Sequence, residues 1–272
     1  MSLIIFTHAN SFGASTYRVL FRSLRARGFT VKAIEKIGHD PAYPVSNNWP
    51  HLVRQLAAFA GPEIESVGEG AWLVGHSLGG YLSTLLAARH PVLGSHTIKG
   101  VVLLDSPLVG GWKARALQFA KSTPLIEQVS PSRVSRTRRT HWPSREDALA
   151  SFASKKAFAR WQPQVLKDYI QHGLVEDKGK FRLAFDRAVE TAIYNTVPHH
   201  FDGYLKRHPL QCPLAFVGGQ YSRELRQVGG ALTEQIAQGR MSMMAGSHLF
   251  PMEHPLETAA EIERVIGGMR SS

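Results

Sequence analysis

A serine lies between glycines at the point where an apolar run gives way to a helical pattern. Residues Gly75–Gly79 read Gly-His-Ser-Leu-Gly, with Ser77 at the centre, after the apolar run Ala71–Val74 and before the helical pattern Tyr81–Ala88. In this context G-x-S-x-G is typical of a tight strand-to-helix turn that strains the serine backbone and exposes its hydroxyl. The spacing predicts that Ser77 is a nucleophile and that the Leu78 N–H, at a helix N-terminus, faces a developing oxyanion.

Apolar runs alternate with helical patterns along the chain. Six runs are predicted to be strands: Leu3–Thr7, Phe29–Ile34, Ala71–Gly75, Ile98–Leu104, Leu214–Val217 and Arg240–Ala245. Strands that are apolar on both faces and alternate with helices indicate a parallel sheet that helices cover on both sides. The predicted fold class is therefore α/β, with a mostly parallel sheet.

A long segment, Pro107 to Pro213, separates the fourth and fifth predicted strands. It has no clear buried-strand run but several helical patterns: Glu146–Arg160, Gln164–His172 and Ala188–Tyr194. A structureless connection of this length is uncommon inside a compact domain. We therefore expect a core domain made of residues 1–106 and 211–272, and an inserted helical cap made of residues 107–210.

The chain is strongly basic, with a formal net charge of +11 and a pI of about 10.0. Much of the excess lies between Lys113 and Arg160, inside the predicted cap. Nucleic-acid binding is disfavoured because the segment has no binding motif and no basic residues interleaved with stacking aromatics. A solvated basic cap is the favoured interpretation, and attraction of anionic substrates by its field is the alternative.

Other sequence features bear on location and cofactors. No apolar run approaches the roughly 18–20 residues that a membrane-spanning helix needs. Met1–Phe6 is more typical of a buried strand than of an export signal. The only cysteine, Cys212, excludes an internal disulfide, so a cytoplasmic protein is expected. No cofactor is expected. No metal is expected either, because His199 and His200 have no carboxylate or histidine partner at an identifiable ligand spacing. A homodimer remains open.

The turn around Ser77 and the alternating elements resemble the α/β-hydrolase superfamily, in particular its capped esterase-like and dehalogenase-like branch. The resemblance covers nearly the whole chain and is least informative in the cap. It implies the α/β-hydrolase fold, with nucleophile, acid and histidine in that order. The superfamily usually has two strands before the one that leads to His8, so a shortened sheet of about six parallel strands is expected.

The turn after the first predicted strand resembles the superfamily's H-G-x turn. It reads Thr7-His8-Ala9-Asn10, with Ala9 in place of the usual glycine. The resemblance implies that the Asn10 N–H is the second oxyanion-hole donor, beside that of Leu78. His8 is interpreted as a structural residue that holds the turn.

The loop before the last helix resembles the superfamily's final loop, which carries the catalytic histidine. The loop reads Gly246-Ser247-His248, followed by apolar residues and then Glu253-His254-Pro255. His248 matches the catalytic position and His254 lies too far along. A serine hydroxyl needs such a base, and an imidazole that titrates near neutrality can serve both halves of acyl transfer.

Two carboxylates are candidates for the acid that orients His248. The superfamily most often places an aspartate after the strand that follows the cap, where this chain has Ser222, with Glu224 two residues on. Some members place the acid after the preceding strand, where this chain has Asp105. We favour Asp105, since it ends an apolar strand at the carboxyl edge of the sheet, where ligands gather in such folds.

The resemblance implies a serine hydrolase that cleaves a carboxylic ester through an acyl-enzyme on Ser77, of the general serine esterase type. A small-molecule substrate is expected, with a hydrophobic group suggested by the cap's aromatic residues. These residues are Trp112, Phe119, Trp142, Phe152, Phe158 and Trp161. Packing in the core of the cap is the favoured interpretation for them, and lining a pocket is the alternative.

Other functions remain open. A carbon–carbon bond hydrolase would use the same triad. A catalytically silent, ligand-binding homologue is the alternative from another class, because the aspartate after the fifth strand is missing. Haloalkane dehalogenase and epoxide hydrolase activities are disfavoured, since both need a carboxylate where Ser77 stands.

Overall fold

The computed structural model describes residues 2–121 and 132–270. The strands in these residues are β1 Ser2–Thr7, β2 Phe29–Ala33, β3 Ala71–His76, β4 Val92–Leu93, β5 His96–Thr97, β6 Gly100–Leu104, β7 His141–Trp142, β8 Leu174–Asp177, β9 Lys180–Leu183, β10 Leu214–Gly219 and β11 Met241–Met244. The α-helices are α1 Arg18–Ala26, α2 Pro50–Val67, α3 Leu78–Arg89, α4 Gly111–Lys121, α5 Ser132–Thr137, α6 Arg145–Ala153, α7 Pro163–Gly173, α8 Arg187–Asn195, α9 Phe201–Arg207, α10 Arg223–Val228, α11 Ala231–Ala237, α12 Phe250–Glu253 and α13 Pro255–Arg270.

Six strands form one central sheet in the order β11-β10-β6-β3-β1-β2. Every neighbouring pair in it is parallel. The predicted α/β class and the mostly parallel sheet of about six strands are therefore confirmed. The carboxyl ends of all six strands lie at the same edge, so the loops that follow them converge there.

The central strands bury residues on both faces. Leu3 and Ile5 point into one hydrophobic cluster, together with residues of α2 and α3. Ile4 and Phe6 point into the other, together with residues of α1 and α13. Successive side chains of a strand point to opposite faces, so an uninterrupted apolar run is what a doubly covered sheet requires.

Residues 107–210 lie between β6 and β10, and we call them the cap segment. As expected, most of its described elements are helices. It also contains a three-stranded antiparallel sheet, β7-β9-β8, that the sequence analysis did not predict. These strands are two to four residues long, and only Trp142, Leu174 and Leu183 are buried in them. That the cap segment is a separate domain stays a prediction. In the described part of the chain, no helix is long and apolar enough to cross a membrane.

Candidate active site

Ser77 lies at the bend between β3 and α3, with φ 53° and ψ −115°. This left-handed conformation is unusual for a residue with a side chain and marks local strain. A Cβ on Gly75 would come within 2.2 Å of the carbonyl carbon of Gly79, and one on Gly79 within 2.0 Å of the Thr7 oxygen. The two glycines therefore allow the tight bend that raises Ser77 above the sheet edge.

The structure brings Ser77, His248 and Asp105 into one chain of contacts. His248 Nε2 lies 3.0 Å from Ser77 Oγ, and His248 Nδ1 lies 2.6 Å from Asp105 Oδ2. Both distances are hydrogen-bonding distances. With Nδ1 protonated toward the carboxylate, Nε2 is free to accept the proton of the serine hydroxyl.

Asp105 follows β6 and is fully buried. Its Oδ1 accepts the Gly219 N–H at 2.8 Å, and its Oδ2 accepts the Ser222 hydroxyl at 2.5 Å. Burial alone would raise the pKa of Asp105, but the hydrogen bonds from His248, Ser222 and Gly219 outweigh it and hold the pKa below its usual value. Ser222, which stands where the superfamily most often has its acid, thus stabilises the charge of the carboxylate that lies beside His248.

Glu224 lies farther from His248 than Asp105 does. Its Oε2 is 3.9 Å from His248 Nδ1, and its side chain is 47% exposed. Burial would lower the pKa of His248, but the hydrogen bond to Asp105 and the charges of Glu224 and Asp105 raise it overall. Asp105 is therefore the carboxylate that hydrogen-bonds His248 Nδ1, and Glu224 influences the pKa of His248 through its charge alone.

His76, the residue before Ser77, carries a contact that the sequence analysis missed. Its Nε2 donates to the backbone oxygen of His248 at 2.8 Å, and its Nδ1 accepts from the Tyr17 hydroxyl at 2.7 Å. Burial, aided by the nearby charge of His248, lowers the pKa of His76 to about 3. His76 is therefore neutral, and a carbonyl on one side fixes which nitrogen carries its proton.

Asn10 and Leu78 lie on two loops beside Ser77. Within residues 2–121 and 132–270, the backbone N–H of neither has a hydrogen-bond acceptor. The Asn10 side chain donates instead to the backbone oxygen of Glu190 at 3.1 Å, which ties the loop to the cap segment. His8 accepts the Ile37 N–H at 3.0 Å and hydrogen-bonds the Ala9 oxygen at 2.8 Å, and burial lowers the pKa of His8 to about 4.

One group of described side chains could in principle hold a metal ion. Ligand atoms of Asp105, Glu224 and His248 lie within 4.8 Å of one another. A metal bound there would have to displace the proton that joins His248 Nδ1 to Asp105. The short hydrogen bond therefore favours a catalytic triad over a metal centre in this arrangement.

A cavity of about 860 Å³ opens above Ser77 and His248, between the core loops and the cap segment. Phe12, Leu249 and Tyr194 contribute to its wall. The expected aromatic residues of the cap do not form this wall: Trp142, Phe152, Phe158 and Trp161 pack into the hydrophobic core, and Phe119 is exposed. The side chain of Trp112 lies outside the described residues.

Comparisons with known proteins agree with this fold. The model of the alpha/beta hydrolase family matches residues 4–261. The chain belongs to this family, as its resemblance to the superfamily predicted.

A curated relative, an abhydrolase domain-containing protein AFT2-1 of Alternaria alternata, is 34% identical over 105 residues. That match covers 39% of this chain and 34% of the relative, so it spans about a third of the relative's length.

Several solved structures share the fold. The peroxisomal alpha-beta-hydrolase Lpx1 of Saccharomyces cerevisiae has a TM-score of 0.72 at 14% identity, over 99% of this chain and 77% of that one. An E-2-(acetamidomethylene)succinate hydrolase has a TM-score of 0.68 at 20% identity, over 98% and 91%. An M. tuberculosis esterase has a TM-score of 0.67 at 20% identity, over 97% and 84%.

Proposed function

We propose that this protein is a serine hydrolase that cleaves a carboxylic ester through an acyl-enzyme on Ser77. The observation that carries the proposal is the continuous chain of hydrogen-bonding distances from Ser77 Oγ through His248 to Asp105. Serine is a weak nucleophile unless an oriented base takes its proton, and this chain supplies both the base and its orientation.

In the first half-reaction Ser77 Oγ attacks the ester carbonyl carbon while its proton passes to His248 Nε2. The N–H groups of Asn10 and Leu78 donate hydrogen bonds to the carbonyl oxygen and stabilise the negative charge that develops on it. The ester C–O bond then breaks, and the proton on His248 goes to the leaving alcohol oxygen. Asp105 stays ionised and stabilises the imidazolium throughout.

In the second half-reaction water replaces the alcohol. The oxygen of the water attacks the acyl carbon while His248 takes a proton from that water. The same two N–H groups donate hydrogen bonds to the oxyanion that forms. Collapse of the intermediate breaks the bond to Ser77, whose oxygen regains the proton from His248. A carboxylic acid leaves and the free enzyme is restored.

Labelling by a fluorophosphonate probe, together with hydrolysis of 4-nitrophenyl acetate, tests this function. We expect the wild-type protein to be labelled and to cleave the ester, and Ser77→Ala to lose both. Ser66→Ala is the matched control, because Ser66 is a surface residue bonded to the Glu63 backbone oxygen. Labelling that persists in Ser77→Ala contradicts the assigned nucleophile.

The other two functions predict different outcomes of the same experiment. A silent ligand-binding homologue would show neither labelling nor ester cleavage. A carbon–carbon bond hydrolase would retain labelling at Ser77 but cleave a β-diketone faster than a matched ester.

A further inference from the structure

The cavity above Ser77 has an unequal distribution of charge. Five basic side chains line it, and they are Arg138, Lys156, Arg160, Arg223 and Arg226. Three carboxylates line it as well, and they are Glu190, Glu224 and Glu253. The excess is positive, and whether it acts on a ligand depends on which of these groups already neutralise one another.

Each of the three carboxylates has a partner, but only the partner of Glu190 is an arginine or lysine. Glu190 pairs with Arg138 at 2.5 Å and also accepts the Ser11 hydroxyl. Glu253 accepts the Ser247 N–H at 2.9 Å and the Ser247 hydroxyl at 2.6 Å, so its charge holds the loop that carries His248. Glu224 lies beside His248.

Four cations of the wall remain, namely Lys156 and Arg160 from the cap segment and Arg223 and Arg226 from helix α10. None of the four forms an ion pair with a carboxylate of residues 2–121 or 132–270. The side chains of all four residues are exposed. Positive charge is concentrated at this end of the cap segment: burial, together with the charges of Arg138 and Arg139, lowers the pKa of the neighbouring Lys155.

Side chains of one sign around a cleft focus the field into it and attract ligands of the opposite sign. A guanidinium also binds a carboxylate through two parallel hydrogen bonds, which adds orientation to attraction. Because the four cations come from both the cap segment and the core, an anion between them would contact both sides of the cavity that contains Ser77.

We propose that the substrate is an ester with a second, anionic group such as a carboxylate, which Lys156, Arg160, Arg223 and Arg226 bind while its carbonyl lies at Ser77. This inference rests on the proposed function of Ser77 and specifies its substrate class. Half-esters of short dicarboxylic acids are the simplest compounds with this chemistry. The negative charge of Glu224 would repel the anionic group of the substrate from the position beside His248. The ester carbonyl, which is uncharged, can occupy that position.

A matched pair of substrates tests the proposal. In 4-nitrophenyl hydrogen adipate the far end is a carboxylate, and in methyl 4-nitrophenyl adipate the same end is neutral. The adipate chain is long enough to disfavour attack of the carboxylate on its own ester. We expect wild-type kcat/KM to be at least about tenfold higher for the anionic ester, since hydrogen bonds to charged groups are the strong ones. The ratio should fall as salt is raised, because the cations are exposed.

Charge-removing variants locate the effect. We expect the anionic-to-neutral ratio to fall toward one in Lys156→Gln/Arg160→Gln and in Arg223→Gln/Arg226→Gln. Lys178→Gln/Lys180→Gln is the matched control: it removes two exposed charges of the cap segment that do not line the cavity, and should leave the ratio unchanged. A ratio that is near one in the wild type, or that falls equally in the control, overturns the proposal.

Binding to Ser77→Ala separates this inference from the proposed function. This variant keeps the four cations, and calorimetry with the two esters measures affinity without turnover. Binding at least about tenfold tighter for the anionic ester supports the anion site even if the wild type cleaves neither ester. Equal binding overturns the anion site even if the wild type cleaves the neutral ester, and in that case the function of Ser77 stands.

Discussion

His76 Nε2 donates a hydrogen bond to the backbone oxygen of His248 across 2.8 Å, although 172 residues separate the two in the chain. On its other side, His76 accepts from the Tyr17 hydroxyl, which itself accepts the Ala9 N–H at 3.1 Å. The buried chain Ala9, Tyr17, His76, His248 therefore connects the loop of one proposed oxyanion donor to the loop of the proposed base. We infer that His76 positions the loop of His248.

Replacing Tyr17 by phenylalanine tests this chain. The Ala9 N–H would lose its acceptor and His76 Nδ1 its donor, with both groups buried. An unsatisfied buried polar group costs about 1–3 kcal/mol, so we expect the free energy of unfolding to fall by about that amount. Urea denaturation measures it.

Tyr43→Phe is the matched control for Tyr17→Phe. Tyr43 is half-buried, and its hydroxyl has no hydrogen bond to the described residues. The control should leave stability and kcat unchanged, whereas Tyr17→Phe should also lower kcat. Equal stability of the two variants would contradict the role of the buried chain.

The acid of the proposed triad is tested by comparing two variants with the same chemical change. Asp105→Asn removes the carboxylate that lies 2.6 Å from His248 Nδ1, so we expect kcat to fall by about 10⁴-fold. Glu224→Gln keeps that hydrogen bond and should lower kcat far less. Steady-state kinetics on 4-nitrophenyl acetate decides between them, and the reverse order of effects would assign the acid to Glu224.

The position of Asp105 illustrates how much of the site the sequence could predict. The apolar run that became β6 predicted where Asp105 lies, and the parallel sheet predicted that it would share an edge with the loops of Ser77 and His248. The choice between Asp105 and Glu224 remained open because it depends on distances between loops. Here Ser222 occupies the place of the usual aspartate and hydrogen-bonds Asp105 instead.

The cap segment illustrates what the sequence could not predict. Strands β7 and β9 pair across a long stretch of chain, through the contacts of His141 with Arg182 and of Trp142 with Phe181. A strand of two residues has no measurable alternation of apolar and polar side chains. The sequence indicated that the cap is basic, but not that Arg160 and Arg223 line one cavity, because only the fold brings them to the same place.

The bend at Ser77 should tolerate no side chain at Gly75. The Cβ of Gly75→Ala would lie 2.2 Å from backbone atoms of α3, which cannot move without displacing Ser77. We expect a loss of about 3 kcal/mol in unfolding free energy, with loss of activity. Gly267→Ala is the control, since a Cβ there meets no atom within 4 Å outside its own helix, and helix α13 should become more stable by about 0.5–1 kcal/mol. Similar thermal stabilities would contradict the steric requirement.

The pH dependence of kcat/KM should report the protonation of His248. As the proposed base, His248 must be neutral in the free enzyme, so activity should fall as the pH decreases through its pKa. That pKa is raised above the ordinary value of 6.5, because the hydrogen bond to Asp105 and the charges of Glu224 and Asp105 outweigh burial. The acidic limb should therefore lie above pH 6.5.

Glu224→Gln tests whether the charge of Glu224 contributes to the raised pKa of His248. Removing the negative charge 3.9 Å from His248 Nδ1 destabilises the imidazolium, so the pKa of His248 should fall and the acidic limb should move to lower pH. Glu176→Gln, which neutralises an exposed carboxylate of β8, should leave the limb in place. A limb that moves to higher pH in Glu224→Gln, or that moves equally in both variants, would show that Glu224 does not stabilise the charged form of His248.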